Sequence, residues 1–104
     1  MGISHFLDVS DLDFETIESA LKNRSIAYTR SSDFITPDGQ HRVISLQLTN
    51  ESGAVNLNYE KRVGKMDACI TIVPMRRFVF LKNSYSIELA NRASQLLCEL
   101  GAEE

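Results

Sequence analysis

The chain has 104 residues, the usual size of one domain, so we expect a single domain over residues 1–104. Hydrophobic residues make up 43% of the chain, so one core can form without support from a disulfide or a metal. The formal net charge of −3 argues against general nucleic-acid binding, because that function needs a basic surface.

The sequence predicts a cytoplasmic protein. Its two cysteines, Cys69 and Cys98, are too few for a disulfide framework and indicate free thiols in a reducing compartment. The N-terminus lacks the basic region and apolar run of a signal peptide, and no apolar stretch is as long as a membrane span. We therefore expect no signal peptide and no contact with a membrane.

The first part of the chain predicts one helix and short extended segments. Phe14, Ile17 and Leu21 fall at helical spacing and form one apolar stripe. The predicted elements are a helix over residues 13–23, a strand over residues 26–30 and a second extended segment at residues 34–35. Residues 4–8 are a candidate for a further edge strand.

Residues 42–73 show the pattern of an antiparallel sheet, because apolar and polar residues alternate in three segments separated by turns. A turn at residues 50–53 places Leu48 opposite Val55, Leu46 opposite Leu57 and Ile44 opposite Tyr59. A turn at residues 62–65 places Tyr59 opposite Ala68, Leu57 opposite Ile70 and Val55 opposite Ile72. All of these apolar pairs share one face, which we predict to be the core face.

The C-terminal third predicts one more strand and one helix. Residues 78–82 read as a strand that places Val79 and Leu81 opposite Ile72 and Ile70. Apolar residues then recur at helical spacing from Leu89 to Leu100, with Ser84 or Ser86 as the N-terminal cap and Gly101 as the left-handed residue after the helix. The predicted fold class is α+β: a two-layer sandwich with an N-terminal helix, an antiparallel β-meander of about five strands and a C-terminal amphipathic helix.

The polar face of this sheet is the first candidate site. Uncharged polar side chains dominate it, and two phenylalanines point outward beside them, which is typical of a protein-binding surface. We predict that this surface consists of Gln47, Asn56, Asn58, Thr71, Val73, Phe78 and Phe80. The alternative is that an N-terminal segment containing Ile3, Phe6 and Leu7 covers the patch and completes a second small core.

The back of the last helix is the second candidate site. Ile87, Ser94 and Cys98 fall on the side opposite the buried stripe and would form the contact of a homodimer. The alternative is that they are isolated exposed residues without a function.

The remaining charged and nucleophilic residues do not assemble into a motif. Glu60 and Asp67 are expected opposite each other, either bridged by Lys65 or Arg62 or separated by fraying near the turn, because two carboxylates alone lack the other ligands of a cation site. His5 and His41 have no metal-ligand spacing, and nothing activates Cys69 toward His41. The basic residues Lys61, Arg62, Lys65, Arg76, Arg77 and Lys82 fall at opposite ends of the sheet and would make two small patches. We therefore expect no catalytic residues, no metal and no cofactor.

These observations favour a non-enzymatic protein-binding module that docks on a larger partner as an adaptor, a chaperone-like protein or an inhibitor. A host-defence inhibitor fits the same description. The order helix, sheet, helix broadly resembles small secretion chaperones and other α+β adaptor domains, a resemblance of fold alone. One alternative is a small-ligand binder or small enzyme with a cleft between sheet and helices around Tyr28, Tyr59 and His41. Another is single-stranded nucleic-acid binding through the sheet face.

Overall fold

The computed structural model of the chain describes residues 4–50, 53–75 and 84–104. These residues form β1 (His5–Asp8), α1 (Phe14–Asn23), β2 (Ala27–Ile35), β3 (His41–Thr49), β4 (Ala54–Arg62), β5 (Ala68–Pro74) and α2 (Ser84–Glu99). All five strands pair antiparallel in one sheet with the order β1-β5-β4-β3-β2. The predicted α+β fold class is confirmed.

The core lies between one face of the sheet and the two helices. The sheet contributes side chains that are at most 1% exposed: Ile44, Leu46, Leu48, Val55, Leu57, Ile70 and Ile72. The helices contribute Phe14, Ile17 and Leu21 from α1 and Leu89, Ala90, Ala93, Leu96 and Leu97 from α2. Each large apolar side chain buried here contributes about 1.5–3 kcal/mol, so this layer provides most of the driving force for folding. We call this side of the sheet the inner face.

The two central hairpins agree with the sequence to different degrees. The predicted register between β3 and β4 is confirmed, with Leu46 opposite Leu57. The predicted register between β4 and β5 is wrong by two residues, because Leu57 lies opposite Ile72 instead of Ile70. The connecting turn includes residues 62–67, and the Arg62 amide donates to the Asp67 carbonyl at 3.1 Å. Since side chains alternate with a period of two, this shift leaves every core residue on the inner face.

The edge of β5 is occupied by β1, which confirms the candidate edge strand at the N-terminus. His5 lies opposite Ile72, and Leu7 lies opposite Ile70. The sequence assigned those two positions to a strand over residues 78–82, so that pairing is wrong. The segment itself lies outside the described residues.

Strand β2 is continuous, whereas the sequence predicted two separate extended segments. Its register against β3 shifts between Arg30 and Ser32, which is a β-bulge. The bulge places both Arg30 and Asp33 on the inner face, opposite Leu46 and Ile44. Arg30 Nη1 therefore reaches Asp33 Oδ2 at 3.0 Å, a contact that a regular strand would prevent, because residues three apart point to opposite faces.

The end of α2 follows the prediction, whereas Ser86 has a different role from the predicted cap. Gly101 has φ +116°, and the Ala102 amide donates to the Leu97 carbonyl at 2.9 Å, which closes the helix. Ser86 lies within the first turns of the helix and is 1% exposed. Its hydroxyl accepts a hydrogen bond at 3.0 Å from the Ala54 amide at the start of β4.

Candidate functional site

The side of the sheet opposite the core, which we call the outer face, is organised in rows that cross the strands. One row runs through Val73, Asn56 and Gln47. The next runs through Phe6, Thr71, Asn58 and Ser45. The third runs through Asp8, Cys69, Glu60, Val43 and Phe34. In the part of the chain that the structure describes, both helices lie on the inner face and neither covers these rows.

The centre of the outer face is polar, uncharged and half-buried. Ser45 Oγ donates to Asn58 Oδ1 at 2.8 Å, and Gln47 Nε2 lies 3.5 Å from the sulfur of Met75. These contacts hold the side chains in place across neighbouring strands. Such a surface costs less to desolvate than one of lysines and glutamates, because burying a neutral polar group is less costly than burying a charge.

The structure brings together the described members of the predicted protein-binding surface. They share the outer face and are half-buried: Gln47, Asn56, Asn58, Thr71 and Val73. Phe78 and Phe80 lie outside the described residues.

Two exposed aromatic residues flank this surface, and the sequence analysis missed them as anchors. Phe6 on β1 is 64% exposed, and Phe34 on β2 is 49% exposed. The alternation of Phe6 with the core residue Leu7 was a usable signal for Phe6. No such signal existed for Phe34, because the bulge in β2 determines which face its side chain occupies. The alternative in which Ile3, Phe6 and Leu7 cover the patch is wrong for its described members, because Leu7 is buried in the main core and Phe6 is exposed. Ile3 lies outside the described residues.

The predicted dimer contact on α2 is only partly exposed. Cys98 is exposed and Ile87 is half-buried. Ser94 is 4% exposed, so the expectation that it lies on the open side of the helix is wrong. Helix α2 packs against α1 as well as against the sheet. Its buried side is therefore wider than the stripe that would face the sheet alone.

A cavity of about 330 Å³ opens on the outer face near the turn between β4 and β5. Its lining combines an aromatic ring, a thiol, three carboxylates, an imidazole and a guanidinium, contributed by Phe6, Asp8, Ser10, His41, Glu60, Arg62, Asp67, Ala68 and Cys69. Strands β1, β5, β4 and β3 position these residues, so the cavity depends on the pairing of four separate segments. We call it the Cys69 cavity.

The surroundings of Cys69 favour its thiol over its thiolate. Burial raises its pKa, and the negative charges of Glu60 and Asp8 raise it further. The Asp8 carboxylate itself has a lowered pKa, because the Ser10 amide donates to its Oδ1 at 2.9 Å. A thiol reacts as a nucleophile in its thiolate form, so this environment disfavours nucleophilic catalysis by Cys69.

The charged residues of the cavity are arranged differently from the prediction. Glu60 lies opposite Cys69, not Asp67, because of the two-residue shift of β5. Asp67 contacts Arg62 at 3.5 Å, one of the two predicted bridges. His41 Nδ1 lies 3.5 Å from Glu60 Oε1, but it is buried and forms no hydrogen bond with any described residue.

The predicted ligand cleft between sheet and helices is wrong, because its three residues do not meet. Tyr59 is 4% exposed in the core, with its ring centroid 5.1 Å from that of Phe14. The Tyr28 hydroxyl donates to Glu18 Oε2 at 3.1 Å beside α1. His41 lies on the outer face. Within the described ranges, no three His, Cys, Asp or Glu side chains are close enough to hold a metal ion.

The chain matches no protein-family model, no curated protein and no solved structure. No helix among the described residues is long and apolar enough to cross a membrane.

Proposed function

We propose that this protein is a non-enzymatic binding module that docks on a larger protein through the outer face of its sheet. The observation that carries the proposal is the combination of a neutral polar centre with exposed aromatic residues on both sides, Phe6 and Phe34. Aromatic anchors around hydrogen-bonding groups are typical of protein interfaces. A module of this kind acts by occluding or bridging its partner, as an adaptor, a chaperone-like protein or an inhibitor does.

The chemistry of Cys69 supports a binding role over a catalytic one. Its thiol lies in the same cavity as a histidine, His41. A raised pKa keeps this thiol protonated at neutral pH. The two free cysteines also lie on different layers, Cys69 on the sheet and Cys98 on α2, which fits a reducing compartment.

The test is affinity capture from the lysate of the source cells, comparing the natural chain with Thr71→Lys. A lysine at this central position should repel or misfit the partner, so we expect a stoichiometric partner to be lost. Gln95→Lys is the matched control, because Gln95 is exposed on α2 and the substitution adds the same charge. Equal capture by Thr71→Lys, with an unchanged melting temperature, would contradict the proposal.

Phe78 and Phe80 need a separate test, because they belong to the surface predicted from the sequence. Replacing both with serine should abolish capture and leave the circular dichroism spectrum and melting temperature unchanged. Unfolding of the double variant would assign the two rings to the core instead.

Small-ligand binding is the second candidate function, and the Cys69 cavity favours it. Its volume of about 330 Å³ falls in the range of small-molecule sites. A metabolite that raises the melting temperature of the natural chain, but not that of a Cys69→Phe variant that fills the cavity, would support this function.

A further inference from the structure

We infer that the Cys69 cavity receives an arginine or lysine side chain of the protein partner. The inference rests on the proposed function and names the chemistry that the outer face recognises.

Two carboxylates flank the thiol on neighbouring strands. Asp8 on β1 and Glu60 on β4 both lie directly opposite Cys69 on β5, so the three side chains form one row on the outer face. Adjacent strands are about 4.8 Å apart, which places the two acidic positions roughly 10 Å from each other. A cation seated over Cys69 would lie between them and attract both.

Neither of these carboxylates is neutralised by a described lysine or arginine. Asp8 accepts a hydrogen bond from the Ser10 amide, and Glu60 approaches only the imidazole of His41. Asp67, in contrast, is paired with Arg62, whose Nη1 lies 3.5 Å from Asp67 Oδ2. The cavity therefore has an excess of negative charge. Besides burial, the charges of Glu60 and Asp8 also raise the pKa of Cys69.

The other walls also suit a cation with an aliphatic stem. Phe6 lines the cavity and is 64% exposed, so its ring can receive a guanidinium or ammonium group. The volume of about 330 Å³ suits a side chain better than a large cofactor.

Other occupants fit the cavity less well. An anion would be repelled by Asp8 and Glu60. An apolar side chain would desolvate both carboxylates without compensating their charge, which is costly. A basic side chain satisfies the carboxylates and packs its methylene groups on Phe6 and Ala68.

The first experiment measures the electrostatic preference of the cavity with thiol reagents of opposite charge. In a Cys98→Ser background, Cys69 is the one remaining thiol. We expect it to react faster with trimethylammonioethyl methanethiosulfonate than with the anionic sulfonatoethyl reagent at about 10 mM salt. Glu60→Gln should lower this rate ratio about two- to fivefold, the range for exposed ion pairs. An unchanged ratio would overturn the inference.

Glu88→Gln is the matched control, because Glu88 is exposed on α2 and the substitution removes the same charge from the other layer. It should leave the rate ratio at Cys69 unchanged. Equal effects of Glu60→Gln and Glu88→Gln would show that net charge, not the cavity, sets the preference, and this too would overturn the inference.

The second experiment uses the peptide acetyl-Gly-Gly-Arg-Gly-Gly-amide and its citrulline analogue, which has the same shape without the charge. The arginine peptide should shift the amide resonances of Cys69 and Glu60 and slow the modification of Cys69, and the citrulline peptide should do neither. Equal shifts with both peptides would contradict a charge-selective site.

The two proposals can fail separately. A partner that Thr71→Lys releases but Glu60→Gln binds with unchanged affinity would leave the proposed function standing and overturn the inference. A partner that Thr71→Lys does not release would overturn the proposed function, whatever the cavity prefers.

Discussion

Tyr59 shows how the core changes the chemistry of a single residue. The side chain is 4% exposed and packs on Phe14 at an interplanar angle of 56°. Burial raises the pKa of the phenol above its usual value of 10.0, and the negative charges of Asp13 and Glu15 raise it further. The folded state therefore disfavours the phenolate. As a result, the free energy of unfolding decreases as the pH rises into the alkaline range.

Tyr59→Phe should reduce the loss of stability at alkaline pH. The natural chain keeps the full contribution of Tyr59 below pH ~10, where the phenol is protonated in both states, and loses it as the pH rises through the higher value of the folded state. Urea unfolding at neutral pH and above pH ~10 measures the difference. An identical alkaline decline in the variant would show that Tyr59 ionises freely in the folded chain.

At the residue scale, the sequence identified most of the core but not the environment of the cavity. Strict alternation in β3 and β4 was enough to predict that Leu46 and Leu57 are buried. The environment of Cys69 depends on which residues lie opposite it on both neighbouring strands. One of these, Asp8, is far away in sequence and paired by β1, so no local pattern could reveal it.

Helix α2 and the hairpin of β3 and β4 are joined at one point. Ala54 at the start of β4 donates its amide to Ser86 Oγ, and Ser86 is 1% exposed. Gly53 lies so close that a Cβ atom there would be 2.7 Å from the Ser86 amide nitrogen. The sequence suggested Ser86 only as a helix cap, because nothing local indicates that a distant hairpin approaches this turn.

Ser86→Ala should destabilise the protein by about 1–3 kcal/mol, because the half-buried Ala54 amide loses its acceptor. Chemical denaturation measures the change in the free energy of unfolding. Gln95→Ala on the exposed side of the same helix is the control and should cost less than about 0.5 kcal/mol. A loss of similar size in both variants would contradict a specific contribution from the hydrogen bond between Ala54 and Ser86.

The bulge in β2 is the other feature that acts at the scale of an element. The sequence indicated extended structure on both sides of it, and the structure joins the two segments into one strand. The bulge aligns Arg30 with Asp33, and Arg42 donates to Asp33 through Nε at 3.1 Å. Sequence alone could not predict it, because the register shift is visible only against the partner strand β3.

The order of strands predicts how the protection of backbone amides from hydrogen exchange varies across the molecule. Strand β4 is central and paired on both sides, whereas β1 and β2 form the edges. Backbone amides in the middle of a sheet open only in larger unfolding events, so we expect the slowest hydrogen exchange in β4. Exchange measured by NMR should place Leu57 among the most protected amides and Thr29 among the less protected. Equal protection of β2 and β4 would contradict this order or indicate that another chain covers the edge.

The sequence by itself determined the α+β class, the inner face of the central strands and the neutral polar character of the outer face. These properties follow from alternation and helical periodicity, which are local and survive a register error of two residues. The tertiary structure decided the strand order, the exposure of Phe6 and Phe34 and the Cys69 cavity. Those features depend on pairings between segments far apart in the chain, above all β1 with β5, and local periodicity contains no information about which segment will occupy a given edge.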